Sequence, residues 1–273
     1  MLTVAANLLP TTLDSRFHEL AQNGFLYIDL THRDFGADKR DIEHIAALTK
    51  RHNIQISSAS SLREFGGNTN HIHEYDMDLA RNYLKTLAQL HCRLLVVTPP
   101  TIRSKNIDNQ QILADLRALA NLAIPYRIKI ALKALPWSPY IGSYQAAAEL
   151  CNDVNSPNFG LVIDTFHFLS ESEDIDALET LPTDSIFLVQ CSDFNSSMTY
   201  SLEDQIETYH HKRLIPGDGY YESSILSVME HLHQKGYRGH YSIQANHPQY
   251  QSQETNELIE KLKAFQARCQ DVL

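Results

Sequence analysis

Eight short segments rich in Val, Ile and Leu recur along the chain, separated by stretches whose apolar residues fall three and four apart. The short segments predict strands over residues 3–8, 25–31, 54–60, 93–98, 129–135, 160–167, 186–194 and 241–246. The stretches between predict helices over 13–22, 38–52, 75–90, 109–123, 143–152, 174–180, 221–235 and 253–267, the sixth being the least well patterned. Strand and helix alternating eight times is the pattern of a closed parallel (β/α)8 TIM barrel, and 273 residues suit one α/β domain over 1–273. The alternative is an open doubly wound sheet, which usually carries a Gly-rich phosphate turn after its first strand. Residues 7–12 hold no glycine. Ser143 is placed to cap the fifth helix, and Gly236 to stop the seventh.

Composition limits the partners. With 23 Lys and Arg against 33 Asp and Glu, the formal charge is −10, so a nucleic-acid backbone or an anionic membrane meets net repulsion. The longest basic cluster, His210-His211-Lys212-Arg213, is half histidine and therefore weak. Cys92, Cys151, Cys191 and Cys269 lie far apart without a C-x-x-C pair, which suits reduced buried thiols. No run of about 18 apolar residues occurs, and no basic residue precedes the apolar start, so a cytoplasmic location is expected.

In a barrel of parallel strands, polar side chains near the strand C-termini converge on one mouth. Lys133, Asp164, Gln190 and Gln244 each interrupt or end an apolar run on strands five to eight. Burying such groups unpaired costs on the order of 1 to 3 kcal/mol each, so they are expected to contact one another or a ligand. A capped strand end accounts for any one of them equally well; four neighbouring strands together are harder to dismiss. Residues 195–220 are long for a connection, carry Gly217 and Gly219 and lack a core pattern, which marks an active-site loop. His71 and His73 follow strand three within reach of the mouth, without a third metal ligand. His231 and His233, two apart on a helix, cannot face one ligand.

At this point the residues carry a family resemblance. Gly160-Leu-Val-Ile-Asp-Thr-Phe-His167, Ile186-Phe-Leu-Val-Gln-Cys-Ser-Asp193, Arg213-Leu-Ile-Pro-Gly-Asp-Gly219 and Gly236-Tyr-Arg-Gly-His-Tyr-Ser-Ile-Gln244 are similar to the sugar phosphate isomerase/epimerase superfamily, with its xylose isomerase-like barrel. Together with Leu62-Arg-Glu-Phe-Gly66 they most resemble its bacterial metal-dependent 3-dehydroshikimate dehydratases. The resemblance covers most of the chain and is densest over residues 130–247. It implies a divalent ion such as Mn, Mg, Co or Zn, held by Glu, Asp, Gln and Glu from strands five to eight. Asp164 and Gln190 match, whereas the first glutamate falls on Lys133 and the last on Gln244. It further implies that His167 transfers protons, that Arg63 and Arg213 grip a carboxylate, that His211 and Arg213 form a His-x-Arg pair, and that Trp137 walls the pocket. The arginine usual ahead of that pair falls on His210, and a family glutamate falls on Gly66.

The substitutions change the charge offered to an ion. Two glutamates and an aspartate present about −3, whereas Lys133 and Asp164 sum to about zero. A metal-free site is expected, with the Lys133 ammonium in the ion's place and paired with Asp164. Three consequences stay open: Lys133 polarises a carbonyl as a tethered cation, it forms a Schiff base as an amine nucleophile, or catalysis is lost. The expected activity is that of a lyase or isomerase on a small carboxylated or polyhydroxylated keto compound. His167, Lys133 and Asp164 would then be catalytic, with Arg63, Gln190, His211, Arg213, Gln244 and Trp137 around the substrate. The alternative is a non-catalytic small-molecule-binding barrel. No nucleic-acid or membrane partner is expected, and homo-oligomerisation is left open. A DNA-repair endonuclease on the same barrel would need more zinc ligands and a positive face.

Overall fold

The computed structural model describes residues 1–31, 33–35, 39–171, 175–195 and 201–273. Eight strands, β1 (Leu2–Ala5), β2 (Tyr27–Thr31), β3 (Gln55–Leu62), β4 (Leu94–Val97), β5 (Lys129–Lys133), β6 (Phe159–Asp164), β7 (Ile186–Cys191) and β8 (His240–Ile243), pair in sequence order into a closed barrel. Every pair is parallel, including the closing pair, where Leu2, Thr3 and Val4 stand opposite Tyr241, Ser242 and Ile243.

Helices α1 (Leu13–Gln22), α2 (Lys39–His52), α3 (Asn70–Gln89), α4 (Asn109–Ala123), α5 (Tyr144–Val154), α6 (Thr165–Ser170), α7 (Leu202–His211), α8 (Glu222–Gln234) and α9 (Thr255–Gln270) make up the helical layer. Side-chain caps mark where several begin: Thr12 accepts from the Ser15 amide, Asp108 from Gln110 and Ser143 from Ala146. Gly236, at φ +104°, ends the turn after α8 in the left-handed region that glycine enters without a Cβ penalty.

Two layers of core follow from the two-residue period of the strands. Leu95, Val97, Ile130, Leu132, Leu161, Ile163 and Val189 join the large cluster under the helices. Val96, Ala131, Val162 and Leu188 form a separate small cluster inside the barrel. Continuing each inward column two residues towards the C-terminal end turns Ala131 into Lys133, Val162 into Asp164 and Leu188 into Gln190, so alternation alone delivers these side chains to the mouth. The barrel's close approach at β6 is also explicit, because a Cβ on Gly160 would fall 2.3 Å from the Ser185 carbonyl oxygen.

Several expected boundaries are corrected. The run 160–167 is not one strand: β6 stops at Asp164, whose carboxylate accepts the Phe166 amide at 3.0 Å and starts α6. His167 therefore sits on a short helix. Residues 195–220 are not an unpatterned loop, since they contain α7, capped by Ser201. The weak sixth helix is a 3-10 turn over Ile175–Thr180, α3 starts five residues before the expected 75, and most strands end one to three residues early. The expected starts at Asp38 and Asp174, and residues 196–200 of the loop, lie outside the described residues. Among the described residues no helix is long and apolar enough to cross a membrane.

Candidate active site

Strands β5, β6 and β7 bring Lys133, Asp164 and Gln190 together at the floor of the mouth. Lys133, 3% exposed, pairs with the fully buried Asp164 and donates to Gln190 Oε1 at 2.7 Å. Asp164 is held from behind by Tyr144, whose hydroxyl donates to its carbonyl oxygen at 2.8 Å and accepts from its amide at 3.1 Å. A second cation, Arg213 Nη1, stands 3.6 Å from Asp164 Oδ2, and His167 Nε2 lies 3.9 Å away. Burial alone would raise the Asp164 carboxyl; Lys133 and the other positive neighbours outweigh it and hold the acid at about 2. Burial drives His167 down to about 3 against the pull of Asp164, with Lys133 and Arg213 adding to the effect. The imidazole is thus neutral at pH 7. Neither ring nitrogen has a hydrogen-bond partner among the described residues.

An aromatic residue that the sequence pattern did not mark closes this cluster. Tyr209, near the end of α7, stacks on His167 with ring centroids 5.1 Å apart and planes 21° apart. Trp137 meets both rings edge-on, at 5.0 Å from Tyr209 and 5.2 Å from His167. The Lys133 ammonium and the Arg213 guanidinium each lie 4.6 Å from the Tyr209 ring centroid, within cation–π range. Tyr209 therefore covers His167, which is 2% exposed.

Above this layer opens a cavity of about 520 Å³. Of the nine expected site residues, Arg63, Lys133, Gln190, His211, Arg213 and Gln244 line it, while Asp164, His167 and Trp137 lie behind its wall. His210, Arg33 and Asn246 also line it, and among the described lining residues there is no carboxylate. The signal for Arg33 is faint in sequence: it follows β2 by two residues in a turn where Asp34 accepts from the Thr31 amide at 2.7 Å and pairs with Arg16 at 3.2 Å. A second cavity, about 570 Å³, opens at the opposite end, where Tyr27, Gln55 and His240 begin their strands, and contains none of the expected residues. The mouth at the strand C-termini is where barrels of this topology gather chemistry, so the polar cavity there is the candidate site.

The expectation that four strand-end polar groups satisfy one another holds for three. Gln244 turns away, donating to Ser242 Oγ at 2.7 Å and to Asp29 Oδ2 at 3.4 Å, because a buried carboxylate lies on its side of the barrel. These bonds occupy its amide nitrogen and leave its carbonyl oxygen as the group able to accept from a ligand. Asp29, missed in the sequence reading, also accepts from Ser57 at 2.5 Å, Ser58 at 2.7 Å and Ser242. The reach of His71 and His73 to the mouth is corrected as well. The His71 side chain is fully exposed, His73 lies 3.0 Å from Asp115, and neither lines the cavity. Among the described residues no three His, Cys, Asp or Glu side chains gather as metal ligands.

The loop that carries Arg213 is fixed by one carboxylate. Asp193 accepts the backbone amides of Phe194 (2.8 Å), Gly217 (3.0 Å), Gly219 (3.2 Å) and Tyr221 (2.8 Å). A Cβ on Gly219 would fall 2.4 Å from Asp193 Oδ1, which explains the second glycine of Pro-Gly-x-Gly. A backbone bridge between Asp193 and Leu214 then sets Arg213 at the mouth, where its amide donates to Asn246 Oδ1 at 3.0 Å.

The fold is matched by comparison with known proteins. The chain is 26% identical over 245 residues to the 3-dehydroshikimate dehydratase of Pseudomonas putida, covering 89% of this chain and 37% of that protein. It is 27% identical over 173 residues to the inosose isomerase of Halalkalibacterium halodurans, covering 62% of this chain and 58% of that protein. The chain thus spans little more than a third of the dehydratase and under two thirds of the isomerase. A crystal structure described as the IolI protein with a bound zinc atom shares the fold at a TM-score of 0.83 and 22% identity, over 100% of this chain and 99% of the other. Residues 17–267 match a single family over nearly the whole barrel: the chain belongs to the xylose isomerase-like TIM barrel family.

Proposed function

We propose that this chain is a metal-independent lyase or isomerase acting on a small carboxylated, polyhydroxylated keto compound, with the Lys133 ammonium as its fixed electrophile. The observation that carries this reading is Lys133 itself, buried between Asp164 and Gln190 and facing a cavity lined by cations. The donor set does not fit a divalent ion. One carboxylate and one amide oxygen are both engaged by an ammonium, and an ion set between them would meet that positive charge in a low-dielectric pocket. Relatives named dehydratase and inosose isomerase support the reaction class.

The residues divide the work as follows. Arg213, on the arc above Asp164, grips the carboxylate, and Arg63 adds its charge to the cavity from across the mouth. The substrate carbonyl oxygen lies against Lys133, so removal of the proton on the adjacent carbon leaves an enolate whose charge is stabilised by the ammonium. Loss of the β-hydroxyl as water, once the His167 imidazole that took the carbon's proton returns it to the leaving oxygen, makes a dehydratase; return of that proton at another carbon makes an isomerase. Asp164 keeps the ammonium aimed, and Gln190 fixes its direction. A lysine arranged to donate to a carboxylate and an amide gives hydrogen bonds rather than a lone pair, which favours this route over a Schiff base. His167 has the neutral imidazole a proton-transfer group needs, but Tyr209 must move before it meets a substrate.

That cover is the specific observation behind a second reading, a barrel that binds such a compound without turning it over. The two are separated by incubating chelator-treated protein with 3-dehydroshikimate or an inosose and following turnover, in the native chain and in Lys133→Ala and His167→Ala. Turnover without metal that falls at least about a hundredfold in both variants is expected. Turnover restored only by a divalent ion would overturn the metal-independent reading. Binding without turnover in the native chain would select the second.

A further inference from the structure

The charges around the cavity are more numerous than one carboxylate requires, and they are not all on one side. Lys133 leaves β5 and Arg213 follows β7, so both stand on the arc of the mouth above Asp164. Arg33 follows β2, which lies opposite β6 in a ring of eight strands. Its neighbour Asp34 is engaged by Arg16 and by the Thr31 amide and hydroxyl, so it does not neutralise Arg33. Taking only Arg33, Lys133 and Arg213 against Asp164, two positive charges remain facing the cavity, one at each side. Between the two poles the wall offers neutral hydrogen-bonding groups: Asn7, Thr98, Gln190 and Gln244. Gln244 presents its carbonyl oxygen, because its amide nitrogen is bound to Ser242 and Asp29, and Gln190 presents its amide nitrogen, because its oxygen is bound to Lys133. Acceptor and donor are thus both available to hydroxyl groups along a chain or ring.

We infer that the substrate of this site is a polyhydroxylated compound with two acidic groups, one at the Lys133 and Arg213 pole and a second, carboxylate or phosphate, at the Arg33 pole. This rests on the mouth cavity being the substrate site, as proposed above, but not on turnover. In a chain of formal charge −10, a cavity with this sign also draws anions from solution through its local field.

Equilibrium binding to the intact chain tests it with a series that differs chiefly in terminal charge: glucose, gluconate, glucarate and 6-phosphogluconate, measured by calorimetry at low ionic strength. Glucarate or 6-phosphogluconate is expected to bind about tenfold tighter than gluconate, and gluconate tighter than glucose, since each charge-assisted contact is worth at least one such factor. Whichever diacid binds tighter assigns the second group as carboxylate or phosphate. Arg33→Gln, a substitution on the rim outside the core, is expected to bring the diacid down to the gluconate level while leaving gluconate within about twofold. Equal affinity of gluconate and both diacids, equal weakening of gluconate and diacid by Arg33→Gln, or absence of diacid binding at millimolar concentration would each overturn the inference. Diacid binding of the expected rank without turnover on any compound would count against the proposed catalysis alone.

Discussion

Asp164 and Asp29 stand on strands of this barrel, both almost wholly out of water, and they are satisfied in opposite ways. Asp164 stands among Lys133, Arg213 and His167, where charge meets charge. Asp29, on β2, accepts hydrogen bonds from three serines and Gln244 and has no cation paired with it among the described residues. The difference separates site from frame. Neutral donors spread over β2, β3 and β8 tie strands together, and each carries a fraction of the cost of burial. A cation on a long side chain can instead answer to a ligand, but its removal leaves a buried charge with nothing equivalent to replace it.

The largest effect that can break this contrast is Lys133→Ala, which is expected to lower stability by about 3 to 5 kcal/mol, because Asp164 then keeps the Phe166 amide and, as its one paired cation, Arg213 at 3.6 Å. Urea unfolding at pH 7 measures it, and a loss below about 1 kcal/mol would show that the two carboxylates are equally well served without the lysine. Acid provides the next test. His167 is held near 3 in the folded chain against 6.5 as an ordinary histidine, so the unfolded chain binds the extra proton between those values. Stability is therefore complete above pH 6.5 and declines as pH falls through that window, by on the order of 1.4 kcal/mol per unit. Asp164 adds a further loss only below about 4, as pH falls towards its own value near 2. His167→Phe should flatten the slope between pH 6 and about 4 in a series of unfolding curves.

Gln244→Glu sharpens the comparison from the other side, by setting a second carboxylate beside Asp29, where the amide nitrogen now stands at 3.4 Å. A loss of about 1 to 3 kcal/mol at neutral pH is expected, shrinking as the pair takes up a proton in mild acid. Thermal unfolding at pH 7 and pH 5 reads the difference directly, and equal losses at both would show that repulsion is not the cause. The smallest change is expected for Asp29→Asn, about 1 to 2 kcal/mol, since serine hydroxyls can reorient and donate elsewhere. An effect as large as that of Lys133→Ala would erase the distinction between frame and site.

Much of this architecture is legible in sequence because the barrel repeats one physical rule. Alternation fixes the inward face of each strand, and the apolar columns ending in Lys133, Asp164 and Gln190 announce the mouth. What was illegible has equally definite causes. Helix α7 buries Gln205 and Thr208, polar residues that no apolar period can flag, so Tyr209 was hidden inside an apparent loop. Phe166 and Phe168 extend the apolar run of β6, and only the capping role of Asp164 turns the chain into a helix there. Asp29 interrupts Tyr-Ile-Asp-Leu-Thr as a single acid, and the serines that satisfy it come from β3 and β8, far away in sequence. Arg33 is marked by neither spacing nor motif.

The carboxylate of Asp193 reaches across 24 to 28 residues of chain to gather the amides of Gly217, Gly219 and Tyr221. Three amide protons bound to one acceptor residue are released by a single opening event, so they should exchange with deuterium as one cooperative unit rather than fray in turn. That unit contains the segment that leads away from Arg213. The lifetime of the mouth's cationic pole is consequently a local unfolding rate, and it can be timed at glycine amides that touch no ligand.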